Sequence, residues 1–342
     1  MQKKDILSLT EEQLTDCFLA LGEKKFRATQ VYQWLHQKRA ASFDEMTNIS
    51  LALRTKLDDE FCIKQLNIVK KLESGIDNTV KYLYELEDGN HIESVVMDYK
   101  HGASLCVSTQ VGCKMGCKFC ASTIAGFKRN LEPSEILLQL YCAERSLGIK
   151  ISSIVLMGIG EPLDNFDNVL AFMKILSSEN GTNMSLRHLS LSTCGLVDRI
   201  YELEAYKLGL TLSISLHASS DTVRSEIMPV NRTYCIRELI TACRHYIDKT
   251  GRRISFEYAL IDGVNDGKSD ADGLIRLLRG INCHINIIPV NRIEERNYKS
   301  SRKSLTGFVE MLEKGGLNVT VRRTLGSDIN AACGQLRREY EI

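Results

Sequence analysis

The stretch Cys106–Ser122, CVSTQVGCKMGCKFCAS, decides how the rest of the chain is read. It leaves an apolar, β-branched run, LCVSTQV, and stops short of the first long amphipathic stretch, PSEILLQLYCAERSLG. Between them Cys113, Cys117 and Cys120 are spaced C-x3-C-x2-C, and Gly112 and Gly116 let the loop fold tightly. A strand, a thiol-rich loop and a helix follow one another. Working outward, the same texture repeats. ISSIVLMGI, RHLSLSTC, LTLSISLH, RISFEYAL, CHINIIPV and LNVTVRR read as strands, separated by amphipathic stretches such as YCIRELITACRHYIDKTG. Strand and helix alternate roughly every thirty residues, which predicts an α/β fold with a parallel sheet. Gly160-Glu161, Ser192-Thr193, His217 and Asn291 fall at the carboxyl ends of these runs, the active-site face of a barrel. With at least six such β/α units the choice lies between a doubly wound sheet and a partial or complete TIM-like barrel, and this placement makes the barrel the expected architecture.

Upstream of the barrel the pattern differs. Leu14, Phe18 and Leu21 recur at helical spacing, as do Val31, Trp34 and Leu35, so residues 1–64 are expected to form a helical accessory domain. Residues 65–98 alternate, with turn signals at Ser74-Gly75 and Asp88-Gly89, and read as a β-hairpin extension. The core barrel is expected over residues 99–342.

The chain of 342 residues is 44% hydrophobic, enough for one large domain and a smaller one. A net charge of +1 argues against a strongly basic nucleic-acid coat but leaves room for a local basic face. MQKKDILSLTEEQL has no apolar core of a signal peptide, and no run is long enough to span a bilayer, which predicts a cytoplasmic protein. Thiols stay reduced there, so clustered cysteines read as metal ligands or catalysts rather than as a disulfide framework. Structural zinc sites take four ligands, usually from two short motifs, and no second C-x2-C accompanies Cys113–Cys120. Cys106 is a possible fourth ligand, but it lies within an apparent strand. A three-thiolate [4Fe–4S] cluster with one open iron suits the spacing better than zinc.

C-x3-C-x2-C after the first barrel strand resembles the radical S-adenosylmethionine superfamily. VSTQVGCKMGCKFCAS, MGIGEPLDN, LSTCG, SLHASSDTVRSEIMPVN and GSDINAACGQLR narrow this to a resemblance to the bacterial dual-specificity ribosomal and transfer RNA adenine-C2 methyltransferases, over nearly the whole chain. The resemblance implies a radical-SAM barrel whose [4Fe–4S] cluster is held by Cys113, Cys117 and Cys120. S-adenosylmethionine would bind the open iron, contacted by Gly160, Glu161, Ser192, Ser215, Leu216, His217 and Asn291. Taken alone, G-x-G-E also fits a tight turn, and a lone His217 is more often a packing histidine.

The resemblance also implies a reaction that uses two S-adenosylmethionine molecules per turnover. One methylates Cys333, in NAACGQL. A second is cleaved to a radical that removes hydrogen from that methyl group, and the resulting carbon adds to C2 of the adenine. Glu93, in HIESVV, takes the C2 proton, and Cys106 then attacks the sulfur of Cys333, leaving a transient disulfide and a free methylated base. Without the resemblance Glu93 reads as an exposed strand carboxylate, and Cys333 as a buried structural thiol. The implied substrates are an adenosine of the 23S rRNA peptidyl-transferase centre and the adenosine 3′ to the anticodon of tRNAs. An electron donor such as flavodoxin or ferredoxin and a monomeric state complete the picture.

For RNA the chain offers basic pairs: Lys24-Lys25, Lys38-Arg39, Lys128-Arg129, Arg252-Arg253, Arg322-Arg323 and Arg337-Arg338. Together with the N-terminal helices they are expected to hold phosphates while a base is splayed into the barrel. Two other readings compete. A C8-methylating antibiotic-resistance relative shares the cysteine positions, though Pro162 in GEPLDN favours C2. A non-catalytic RNA-binding module with a structural metal would need neither Cys106 nor Cys333.

Overall fold

The computed structural model of the protein describes residues 3–290, 298–300, 302–329 and 331. Asn291, Cys333 and the Arg337-Arg338 pair lie outside the described residues. Helices α1 (Glu11–Ala20), α2 (Lys25–His36) and α3 (Leu51–Glu60) account for the helical N-terminal region. Thr10 and Gln13 start α1 with a reciprocal capping box, closing backbone donors that a helix end otherwise leaves open.

Ten strands form one sheet: β1 (Asn67–Glu73), β2 (Val80–Glu85), β3 (His91–Tyr99), β4 (Gly102–Cys106), β5 (Ile151–Leu156), β6 (Leu189–Thr193), β7 (Thr211–Ser215), β8 (Ile254–Leu260), β9 (Cys283–Pro289) and β10 (Val319–Val321). They lie side by side in chain order, with β1 and β10 at the edges. The strands β1 to β4 pair antiparallel. From β4 onward every pairing is parallel. The hairpin extension therefore continues the core sheet. Its turns fall at the Ser74-Gly75 and Asp88-Gly89 signals, where Ser74 N–H donates to Thr79 O and Leu86 N–H to Asn90 O.

The connections are helical: α4 (Pro133–Leu147), α5 (Phe166–Ser177), α6 (Val197–Ala205), α7 (Asp221–Ile227), α8 (Ile236–Thr250), α9 (Lys268–Leu278) and α10 (Arg302–Lys314). Parallel strands need such crossovers because a tight turn cannot return the chain to the same end. Apolar faces of these helices and strands merge into one core that also takes in Phe18, Tyr32 and Leu57 of the N-terminal helices. The LCVSTQV run behaves differently from its alternation: β4 ends at Cys106, and Gln110–Gly112 pairs instead with Phe127–Asn130. Polar Ser108 and Thr109 break the ladder, and Ser108 is recruited by Gln139 of α4 through bonds of 2.9 Å in both directions. No helix among the described residues is long and apolar enough to cross a membrane.

The packing of α2 against α4 carries a pH dependence. His36 is 1% exposed, and burial pushes its pKa from 6.5 down to about 3. An unfolded chain protonates this imidazole near its ordinary value, whereas the folded chain resists until much lower pH. Stability is therefore lost as pH falls from about 6.5 towards 3. His36→Leu is expected to flatten that limb of a denaturation-midpoint profile relative to the parent. Tyr141, whose hydroxyl lies 3.1 Å from His36 Nδ1, keeps Thr182 Oγ1 at 3.0 Å as a partner. An unchanged slope would show that protonation of His36 is not linked to unfolding.

Candidate active site

A cavity of about 350 Å³ lies at the carboxyl ends of the parallel strands. Its wall takes Glu93 from β3, Cys106 from β4, Ser192 from β6, Ser215 from β7, Glu257 from β8 and Arg322 just after β10. A flat ten-stranded sheet cannot bring positions so many strands apart to one space, so the sheet must curl into a partial barrel.

Cys113, Cys117 and Cys120 share this wall with Glu161 and Gly160. The loop that carries them is pinned at Gly112, where φ is 78° and a Cβ would sit 1.7 Å from the carbonyl oxygen of Gly126. Only glycine fits there. None of the three is joined in a disulfide. Burial, with the neighbouring Cys120, Glu161 and Asp164 acting in the same direction, pushes Cys113 up to about 12. Burial and the charges of Cys120 and Cys113 also push Cys117 up. These thiols hold their protons until a metal displaces them. Among the described residues, no group of three or more His, Cys, Asp or Glu side chains is gathered around a single metal-ion position. The three thiols line one cavity, and a donor set of three neighbouring cysteines fits a thiolate-ligated multi-iron cluster.

Beside them, Glu161 is a staple as well as a wall. Its Oε1 accepts from Leu163 N–H at 3.0 Å and its Oε2 from Cys194 N–H at 2.7 Å, joining the loops after β5 and β6. Burial raises its pKa, and these bonds oppose the rise. The side chains of Thr193 and Cys194 add further bonds to this carboxylate. Ser192 and Ser215 face each other with hydroxyls 3.5 Å apart. His217 has a left-handed backbone, φ 56°, and its Nδ1 accepts from Ala259 N–H at 2.8 Å. Burial, then Arg224, pushes its pKa down to about 3. The neutral ring thus carries its proton on Nε2. Leu216, between Ser215 and His217, buries its side chain fully in the apolar core, and its carbonyl accepts from Arg224 Nε at 3.0 Å. It supports the site from behind and is not part of the cavity wall.

Glu93 is 2% exposed, which sets aside its reading as a surface carboxylate. It faces the cavity and lies 3.1 Å from Lys81 Nζ, a side chain that is itself fully buried. Lys81 on β2 pairs with Val95, and Glu93 on β3 with Leu83, so the two are diagonal neighbours on one face of the hairpin. The hydroxyl of Ser108 donates to Glu93 O at 2.6 Å, tying this strand to the loop after Cys106.

Cys106 ends β4, 8% exposed, in an apolar cluster with Val95 and Met97 against which Leu325 and Ala331 pack. Burial raises its pKa, with Arg322 opposing. The segment carrying Leu325 and Ala331 is clasped to the tip of the β1–β2 hairpin. Asp328 accepts from Ser74 Oγ at 2.7 Å and from Gly75 N–H at 2.8 Å, and Asp77 accepts from Gly326 N–H at 3.0 Å. Gly326, φ 58°, folds the segment so tightly that a Cβ would meet that of Ala331 at 2.6 Å.

Sequence reading passed over Lys81, Glu257 and the Asp77–Asp328 clasp. A charge inside an apolar strand, as in VKYLYE and ISFEYAL, was the available signal for the first two. Glu257 is 3% exposed, accepts from Asn286 at 2.8 Å and Ser255 at 2.9 Å, and burial raises its pKa. The basic pairs divide. Arg129 is held by both oxygens of Glu135, at 2.7 and 2.9 Å, and by Asp88 at 2.6 Å; Arg39 is paired with Glu144; and Arg252 Nε donates to Leu210 O at 2.7 Å. These three hold the fold. Arg322 and Arg323 line the cavity.

Comparison with known proteins agrees with this geometry. Residues 4–63 match the family "Ribosomal RNA large subunit methyltransferase N-terminal domain", and residues 107–277 match the radical SAM superfamily. A protein of Clostridium novyi named "Probable dual-specificity RNA methyltransferase RlmN" is 52% identical over 98% of this chain and 98% of its own. One of the same name from Alkaliphilus oremlandii is 52% identical over 99% of each chain. The crystal structure of a radical SAM methyltransferase from Sphaerobacter thermophilus superposes with a TM-score of 0.92, 40% identity and coverage of 97% of this chain and 98% of that one. With such identity sustained from the N-terminal helices through the barrel, the chain belongs to the RlmN family of dual-specificity RNA methyltransferases within the radical SAM superfamily.

Proposed function

We propose that the protein methylates C2 of one adenosine in 23S rRNA and of the adenosine 3′ to the anticodon in tRNAs. The observation that carries this reading is convergence. Cys106, Glu93, Glu161 and the three loop cysteines share one cavity, with the segment before Cys333 packed at its edge. C2 of adenine lies between two ring nitrogens and is too electron-poor to attack a methyl sulfonium, so the reaction needs cofactor-borne radical chemistry. Cys113, Cys117 and Cys120 would hold the [4Fe–4S] cluster. Once bound there, and with an electron from flavodoxin or ferredoxin, two S-adenosylmethionine molecules supply the methyl group and the hydrogen abstraction.

The chain's own residues do the rest. Glu161 accepts from the amino group of S-adenosylmethionine, while Ser192, Ser215 and neutral His217 shape its pocket, together with Asn291, which is outside the described residues. Cys333, also outside them, carries the methyl group to C2 and becomes bonded to the base through it. Glu93 takes the C2 proton. Cys106 gives up its proton and forms a sulfur–sulfur bond with Cys333. The electron pair of the broken sulfur–carbon bond stays with the transferred carbon, which takes up a proton to complete the methyl group; the one surplus electron would return to the cluster, and the methylated base leaves. Arg322 and Arg323 at the cavity offer charge to RNA phosphates, and the enzyme acts as a monomer.

Anaerobic turnover of reconstituted enzyme on a 23S rRNA fragment and on tRNA, followed by digestion and mass spectrometry, tests the assignment. 2-Methyladenosine from both substrates is expected. 8-Methyladenosine would move the target atom, and the absence of methylated adenosine despite an intact, reducible cluster would overturn the substrate assignment.

A further inference from the structure

The RNA reading above leaves one cavity-side charge without a role. Lys81 is buried in full, as is Glu93 opposite it, and their charged ends lie 3.1 Å apart. Nothing in the packing of β2 asks for an ammonium there. Its neighbours on the same face, Leu83 of β2 and Val95 of β3, are apolar and buried. Desolvating a lysine is costly, and an apolar residue of similar volume at such a position is often neutral or stabilising. A charge kept at this cost next to a reaction cavity calls for a functional account.

We propose that Lys81 is a positioning residue for the methyl-transfer reaction, holding the Glu93 carboxylate charged and aimed so that it takes the proton from C2. The inference rests on the reading of Glu93 as proton acceptor. A buried carboxylate without a partner neutralises itself by binding a proton, and a protonated carboxyl has no room for another. Lys81 sets an opposite charge against this carboxylate and fixes one of its oxygens, Oε2, at 3.1 Å. The proton passes from C2 to Glu93, the C–H electron pair stays with the ring, and Lys81 itself gives up nothing. Among the described residues, Cys106 of β4 also faces this pair, with the charge of Arg322 beyond it, and Lys70 of β1 lies next to Leu83 on the same face of the hairpin. The wall thus carries the proton acceptor and the resolving thiol, with Lys81 3.1 Å from the first.

The test is a single-turnover reaction of the holoenzyme with tRNA, following the covalent protein–RNA adduct by denaturing gel as it forms and decays. In Lys81→Met the adduct is expected to form at the parental rate and to decay about 10²-fold more slowly, the lower end of the effect of a misplaced general base. Lys81→Arg, which keeps the charge, should restore decay to within roughly tenfold of the parent. If Lys81→Met fails to fold, Lys81→Gln carries the test, because its amide still donates to Glu93 but brings no charge. The same slow decay is expected there. Glu93→Gln separates the two layers. If Glu93→Gln stalls with adduct while the uncharged Lys81 variants decay at the parental rate, the role of Lys81 is refuted and that of Glu93 stands. If Glu93→Gln itself decays normally, the proton-acceptor reading fails. Equal slowing of adduct formation and decay in Lys81→Gln would mark a merely structural lysine and would also overturn the proposal.

Discussion

Cys106→Ala is expected to leave the enzyme cross-linked to its RNA. Turnover should drop by on the order of 10²–10⁴-fold, the span that loss of one catalytic group usually costs. The argument runs through position and protonation. Cys106 closes β4 at the rim of the cavity, packed with Val95, Met97, Leu325 and Ala331. Ala331 precedes Cys333 by two residues, and the segment bearing it is anchored to the hairpin tip by Asp77 and Asp328. A sulfur at Cys106 thus stands beside the segment that leads to Cys333, the proposed methyl carrier. Burial holds it as a thiol, above its ordinary pKa of 9.0. The attacking species is the thiolate, so resolution should accelerate as pH rises, with Arg322 easing the ionisation. Alanine removes the sulfur and little volume, so the adduct should form and then persist, visible as an RNA-bound band on a denaturing gel. Cys106→Ala enzyme that turns over at the parental rate would remove Cys106 from the reaction.

What could be read beforehand followed periodicity and local chemistry. Alternating strands and helices gave the parallel sheet, and the C-x3-C-x2-C spacing with its glycines gave the loop, because both are short-range patterns. Side-chain pairing across strands has no such trace. Lys81 and Glu93 are twelve positions apart and become neighbours only through the register Leu83↔Glu93. The Asp77–Asp328 clasp links residues some 250 positions apart, and GSD resembles any turn until the hairpin tip is set against it. Adjacent basic residues misled for the converse reason. Lys128-Arg129 reads as a phosphate-binding pair, yet Glu135 and Asp88 already claim Arg129. Leu216 entered the cofactor set through the resemblance of the SLH stretch, and the pleat turns its side chain into the core while Ser215 and His217 line the cavity.

Replacing Arg224 by methionine should cost more stability than any surface change in the molecule, at least about 3 kcal/mol. Arg224 is fully buried in α7. Its Nε donates to Leu216 O at 3.0 Å, and its Nη2 donates to Cys194 O at 2.7 Å and to Ser215 O at 3.2 Å. Its Nη1 donates to Asn231 Oδ1 at 3.0 Å. The carbonyls it binds end β6 and β7, where the ladder has stopped and no strand partner remains for them. Burial works against the charge, so the guanidinium is retained through its fan of donors, which no other side chain supplies from one point. Methionine fills the volume but leaves buried oxygens unpaired, each worth about 1–3 kcal/mol. The loss should spread to the site: Cys194 N–H binds Glu161, and Ser215 opposes Ser192, so both walls of the proposed S-adenosylmethionine pocket lean on this one residue. Denaturant unfolding, together with calorimetric titration of S-adenosylmethionine into the reconstituted enzyme, checks both parts. Arg224→Lys should fall between parent and Arg224→Met, because an ammonium reaches fewer of these oxygens. An Arg224→Met protein within about 1 kcal/mol of the parent would mean that water, and not the guanidinium, satisfies the strand ends.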